Sequence, residues 1–131
     1  MGLKAWLRSP AVIGLALTAV FLFTGVWQLT VVSAAIAGFL ARSGRRGGVA
    51  GAQAAVGGWA IWILVWSILG PVGPFLGVVA EVLGLPGLAA PLVAVLALFL
   101  ARILGLASGF AGGYASELWR ARRSAAPSGK P

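Results

Sequence analysis

Three long stretches of this chain carry no ionisable residue: Ser9 to Ala41, Gly47 to Ala80 and Val82 to Ala101. About 18 such residues in succession, coiled as a helix, already match the hydrocarbon thickness of a bilayer. Inside hydrocarbon every backbone N–H and C=O needs a partner within its own segment, so long runs rich in Leu, Ala, Val and Gly favour helices. No ten-residue alternation of the β-barrel type runs through them. Only 9% of the residues are charged and 60% are hydrophobic, against about 25% charged in a water-soluble domain. The expected fold class is therefore an all-α polytopic membrane protein.

The few charges set the threading. Ten Lys and Arg stand against two acids, Glu81 and Glu117, for a formal charge of +8. Most of the cations gather at the margins of the apolar runs: Lys4 and Arg8; Arg42, Arg45 and Arg46; then Arg120, Arg122, Arg123 and Lys130. That arrangement follows the positive-inside rule. Nucleic acid is accordingly not expected as a partner, whereas anionic lipid head groups on the cytoplasmic side are. Placing all three groups inside requires an even number of crossings. Four transmembrane helices in two hairpins satisfy this, at about residues 6–24, 28–41, 49–69 and 88–119, with both termini cytoplasmic in the cell membrane.

The first hairpin turns near Gly25-Val26-Trp27-Gln28 and returns to a basic loop, Arg42 to Gly48. The third helix ends at the Gly70-Pro71-Val72-Gly73-Pro74 breaker cluster. Residues 75–84, bounded by Pro74 and Pro86, are too few to span and are expected to form an interfacial or re-entrant segment between helices three and four. Residues 1–123 then make one transmembrane domain, and 124–131 read as a disordered cytoplasmic tail. Lys4 and Arg8 before an apolar stretch imitate a secretory signal, but hydrophobicity continues to Ala41, past the 7 to 15 residues of a signal core.

Cysteine, histidine and aspartate are all absent. This removes disulfides, thiol nucleophiles and most metal sites, and leaves no acid/base pair outside the tail region. The Gly47-Gly48 and Gly57-Gly58 pairs lack the Walker spacing and its Lys-Ser/Thr. No enzyme activity, cofactor or metal is expected. Phe39-Leu-Ala-Arg42 recurs as Phe99-Leu-Ala-Arg102, a similarity that so simple a composition produces by chance.

Small residues carry the clearest interaction signal. Ala101, Gly105, Gly109 and Gly113 follow one another at four-residue spacing, and Gly47, Gly51 and Ala55 repeat the device on the third helix. Lipid offers no hydrophobic drive for helix association, so close approach across such faces supplies it. These two helices are expected to pack together, and the same faces are candidates for contact with another copy or subunit. Trp59, Trp62 and Trp66 line one helical face and read as packing or lipid-facing residues.

Arg102 falls about halfway along the last helix, where an arginine costs at least ~2.5 to 3.5 kcal/mol on insertion scales. Either it pairs with Glu81 within the membrane, or it snorkels to the inner head groups while Ile103 to Trp119 lies along the interface. The expected function is that of a non-enzymatic self-assembling or accessory subunit of a membrane complex, acting through glycine-faced helix packing. Two alternatives stand beside it: a small oligomeric channel or transporter using Arg102 and Glu81, and an all-helical pilin-like assembly subunit.

Overall fold

Proline and serine open the first helix in a way the backbone requires. Pro10 occupies the first turn, where its missing N–H is no loss, and the Ser9 hydroxyl accepts from the Val12 amide at 3.4 Å. In the computed structural model, which describes residues 9–86 and 89–125, this is helix α1, Pro10–Phe23. It is followed by α2, Leu29–Ala41; α3, Gly44–Leu69; α4, Val72–Val82; and α5, Ala90–Ala125. The described residues are helical throughout, with turns between. Two helices, α3 and α5, are long and apolar enough to cross a membrane, whereas α1, α2 and α4 are shorter.

Several boundaries differ from the sequence reading. The Arg42 to Gly48 loop shrinks to Arg42 and Ser43, because α3 begins at Gly44 and carries Arg45 and Arg46 in its first turn. Glycine is a poor helix former in isolation, but here Gly44, Gly47 and Gly48 are buried against α5, and that contact outweighs propensity. The short fourth element begins at Val72, since Pro74 lies in its first turn, where no helical N–H is needed. Helix α5 runs on past residue 119, so Ser124 and Ala125, assigned above to the tail, are helical. The helix start at residue 6, Lys4, Arg8, Leu88 and the tail from residue 126 lie outside the described residues.

The core is built of small side chains. Ala34, Ala37, Ala54 and Ala55 are fully buried, and the largest fully buried side chains are Thr18 and Ser33. The large apolar residues point outward instead: Ile68 is 75% exposed, Leu69 76% and Val82 81%. A water-soluble protein distributes these classes the other way. The inverted pattern suits a chain whose surroundings are themselves apolar.

Helix α3 is the centre of the bundle. On one side α1 packs on it, Thr18 against Gly58 and Gly14 against Ala54, while α2 and α5 pack on its remaining faces. The covered part of α3 stops at Gly58; from Trp59 to Leu69 no residue is buried. The outer end of α5 is likewise thinly covered, with Val93 its one buried residue before Ala101, and α4 folds back beside it. The molecule is thus tightly joined at the Gly44 end and open at the other.

Glycines in the joined half and at the start of α4 should respond differently to an added methyl group. A Cβ on Gly109 would meet the Gly47 carbonyl oxygen and lie 2.9 Å from the Gly51 Cα, whereas one on Gly73 meets nothing within 4 Å. Gly109→Ala should cost about 2 to 3 kcal/mol, since backbone cannot give way as a side chain can. Gly73→Ala should be close to neutral. Unfolding titrations of both variants in mixed micelles would check the contrast.

Candidate functional site

The small residues singled out in the sequence meet in one seam. A Cβ on Gly105 would lie 2.6 Å from the Ala55 Cβ, and one on Gly47 would lie 2.5 Å from the Gly109 carbonyl oxygen and 3.0 Å from the Gly113 Cα. Gly51 likewise faces the Gly105 carbonyl, and Ala101 is buried at the outer end of the seam. Antiparallel α3 and α5 therefore touch backbone to backbone. Approach this close brings polarised Cα–H groups against carbonyl oxygens, a weak but repeated attraction.

A third backbone enters the same place. Gly38 of α2 sits against the Gly109 carbonyl, and its own carbonyl oxygen lies 3.0 Å from a Cβ placed on Gly47. Farther along, Gly112 of α5 faces the Ala35 carbonyl of α2. Sequence reasoning missed the α2 contribution, because Gly38 stands alone in an Ala-rich helix without a four-residue series to announce it. It also missed the polar contact behind the seam, where the Thr18 and Ser33 hydroxyls are 2.5 Å apart: one donates to the other, and the accepting hydroxyl donates to a carbonyl of its own helix, Gly14 for Thr18 or Thr30 for Ser33.

At the Gly44 end, α5 clamps the α2–α3 turn with two charges of opposite sign. The Glu117 carboxylate accepts from the Gly44 amide at 3.0 Å, capping α3 in place of Ser43, whose side chain makes no capping bond. The Arg120 guanidinium donates to the Arg42 carbonyl oxygen, just past the end of α2. An anion at a helix start and a cation at a helix end both complement the macrodipole. Arg42 itself is left-handed, with φ of 61°, a conformation that costs a non-glycine residue roughly 1 to 2 kcal/mol. The two bonds from α5 hold the turn that requires it.

The remaining basic residues among those described stay at the surface. Arg45, Arg46 and Arg122 are exposed, and Arg123 lies over the Trp119 ring with its guanidinium carbon 5.1 Å from the centroid. Glu81 and Arg102 are both exposed, and among the described residues no ion pair joins them. Arg102 instead borders a groove of about 440 Å³ between α3 and α5, together with Gln53, Gly57 and Leu106. Trp59, Trp62 and Trp66 follow one another along α3 as tilted pairs, with centroids 6.1 and 6.4 Å apart. Where the bundle opens, Trp27, Thr30, Trp59 and Leu104 line a cavity of about 200 Å³, and the buried Thr30 hydroxyl has no hydrogen-bond partner among the described residues. Among the described residues no three His, Cys, Asp or Glu come together.

No protein-family model, curated protein or solved structure matches this chain.

The clamp makes a local prediction. Glu117→Ala removes the acceptor of the Gly44 amide, worth about 0.5 to 1 kcal/mol for an exposed charge at a helix start. The Gly44 amide should then exchange with solvent deuterium roughly two- to five-fold faster, with Glu117→Gln in between. Mass-resolved exchange of the Arg42 to Val49 peptide would read it.

Proposed function

We propose that this chain is a non-enzymatic protein of the cell membrane that crosses four times with both termini cytoplasmic and serves as an accessory or self-assembling subunit of a membrane complex. The observation that carries this reading is the uneven cover of its two long helices. The glycine seam is occupied within the chain, by α3, α5 and α2 together, so it is not the surface offered to a partner. The surface left over is the open half, where Ile61, Leu64, Ile68 and Leu69 of α3 and Leu92, Leu96 and Phe99 of α5 are exposed.

Four crossings require α1 and α2, of 14 and 13 residues, to bridge the bilayer. At 1.5 Å per residue they measure about 21 and 20 Å against a hydrocarbon core of about 30 Å. Local thinning and interfacial anchors accommodate such a mismatch at fractions of a kcal/mol per Å. The hairpin tip supports the crossing: Trp27 and Gln28 are exposed, an aromatic and an amide suited to the outer interface and unsuited to the bilayer centre. Charge supports the orientation, because it returns the N-terminus, the Arg42 turn and the end of α5 to one side.

Two measurements test this reading. A cysteine replacing Gln28 should react with an impermeant maleimide added outside intact cells, while one replacing Ser43 should react only after permeabilisation; an unreactive Gln28→Cys would mean that the hairpin turns back within the lipid. A photo-reactive residue at Leu64 or Phe99 should cross-link in native membranes to a second copy or to one recurrent membrane protein, whereas one at Val20 on α1 should not. Lipid adducts alone at Leu64 and Phe99 would count against a subunit role.

A further inference from the structure

The start of α1, the end of α2 and the first turns of α3 enclose a groove of about 650 Å³, within the size range of ligand sites. Arg45 and Arg46 stand on it, Gln53 marks its other end, and Ala11, Leu40 and Val49 supply apolar wall. Among the described residues neither arginine forms an ion pair. Of the two acids in the chain, Glu117 is engaged with the Gly44 amide and Glu81 belongs to α4, which packs on α5 and α3 rather than on this groove. Two guanidinium groups therefore border an apolar groove with no carboxylate among the described residues to neutralise them. Gln53 follows them about two helical turns later, roughly 11 Å along α3.

We propose that this groove holds one anionic diacyl phospholipid of the cytoplasmic leaflet. Its phosphate sits between Arg45 and Arg46, where planar guanidinium donors match phosphate oxygens. The glycerol region lies along Val49 and Ala11, and the Gln53 carboxamide at the far end donates to an acyl ester oxygen. The lining runs from two charges along an apolar wall to an amide at the far end, which suits a ligand with an anionic head and an apolar body carrying ester oxygens. A soluble polyanion would use the two charges and leave the amide and the apolar wall unmatched. The proposal rests on the chain lying in lipid with the Gly44 end at the cytoplasmic surface, and it adds a defined site to the general attraction of basic residues for anionic membranes.

The test is native mass spectrometry of the full chain in detergent, titrated with phosphatidylglycerol or with phosphatidylcholine of matched acyl chains. One phosphatidylglycerol should be retained with at least five-fold higher occupancy than phosphatidylcholine. Arg45→Gln with Arg46→Gln should abolish the preference, and Gln53→Leu should reduce retention by a few-fold. Both arginines are exposed, so these changes leave the glycine seam intact. Arg122→Gln with Arg123→Gln, in the last turn of α5, should change nothing, and millimolar inorganic phosphate should not displace the lipid. Equal retention of the two lipids, equal loss from the α5 variant, or displacement by inorganic phosphate would each overturn the site. Selectivity in detergent does not depend on orientation, so a failure here is distinguishable from a failure of the accessibility measurement at Gln28.

Discussion

Contact between backbones, without side chains in between, is the constraint from which the rest of this structure follows. Gly47 and Gly51 of α3 meet Gly105, Gly109 and Gly113 of α5, and Gly38 of α2 closes on the same carbonyl of Gly109. Three helices can share one carbonyl oxygen only where no Cβ stands in the way. With small residues committed to the interior, the large apolar side chains have nowhere to go but outward. That is why the most deeply buried side chains of any size are two hydroxyls, Thr18 and Ser33. Water would not tolerate the resulting surface; hydrocarbon is indifferent to it.

The seam also dictates the turn that the sequence disguises. Both α2 and α3 must reach α5 at its glycines, so the link between them has to be short, and two residues suffice. One of them, Arg42, is forced into the left-handed region. Helix α5 then continues past the turn far enough for Glu117 and Arg120 to bind it from outside, each with the sign that the adjoining helix terminus favours. This engagement occupies one of the two acidic side chains, so that among the described residues Arg45 and Arg46 have no counter-charge.

The legible part of the fold was the part with a period. Four-residue spacing of Gly and Ala at Gly47, Gly51, Ala55 and at Ala101, Gly105, Gly109, Gly113 places each series on one helical face, and the pairing of α3 with α5 follows from the lack of any other drive for such faces to associate. Isolated small residues carry no such signal, so Gly14 and Gly38 could not be told from the Ala and Gly around them. The start of α3 was misread for a physical reason. Ser43-Gly44-Arg45-Arg46-Gly47-Gly48 has the composition of a loop and becomes helix through tertiary contact alone, as when Phe110 of α5 covers Gly44 at 3.3 Å from its would-be Cβ. Glu117 and Arg120 were hidden similarly, because a charged helix end reads as solvated tail until the turn it binds is known. The converse holds for Glu81 and Arg102: their opposite signs invited a pair, but Glu81 is exposed on α4 and Arg102 borders the α3–α5 groove beside Gln53.

A seam of this type also limits what can move. Each glycine opposes a particular carbonyl, so sliding α5 by one residue along α3 would drive Leu104, Ser108 or Leu106 into backbone, and the joined half can exist in one register only. The open half has no such lock. Beyond Gly58 and before Ala101 the helices carry large side chains at their surfaces, enclose the cavity between Trp27 and Trp59, and leave the Thr30 hydroxyl without a partner among the described residues. Small rotations there would change which apolar surfaces meet without disturbing the backbone contacts of the seam. The lock therefore ends where the small buried residues end, at Gly58 on α3 and at Ala101 on α5.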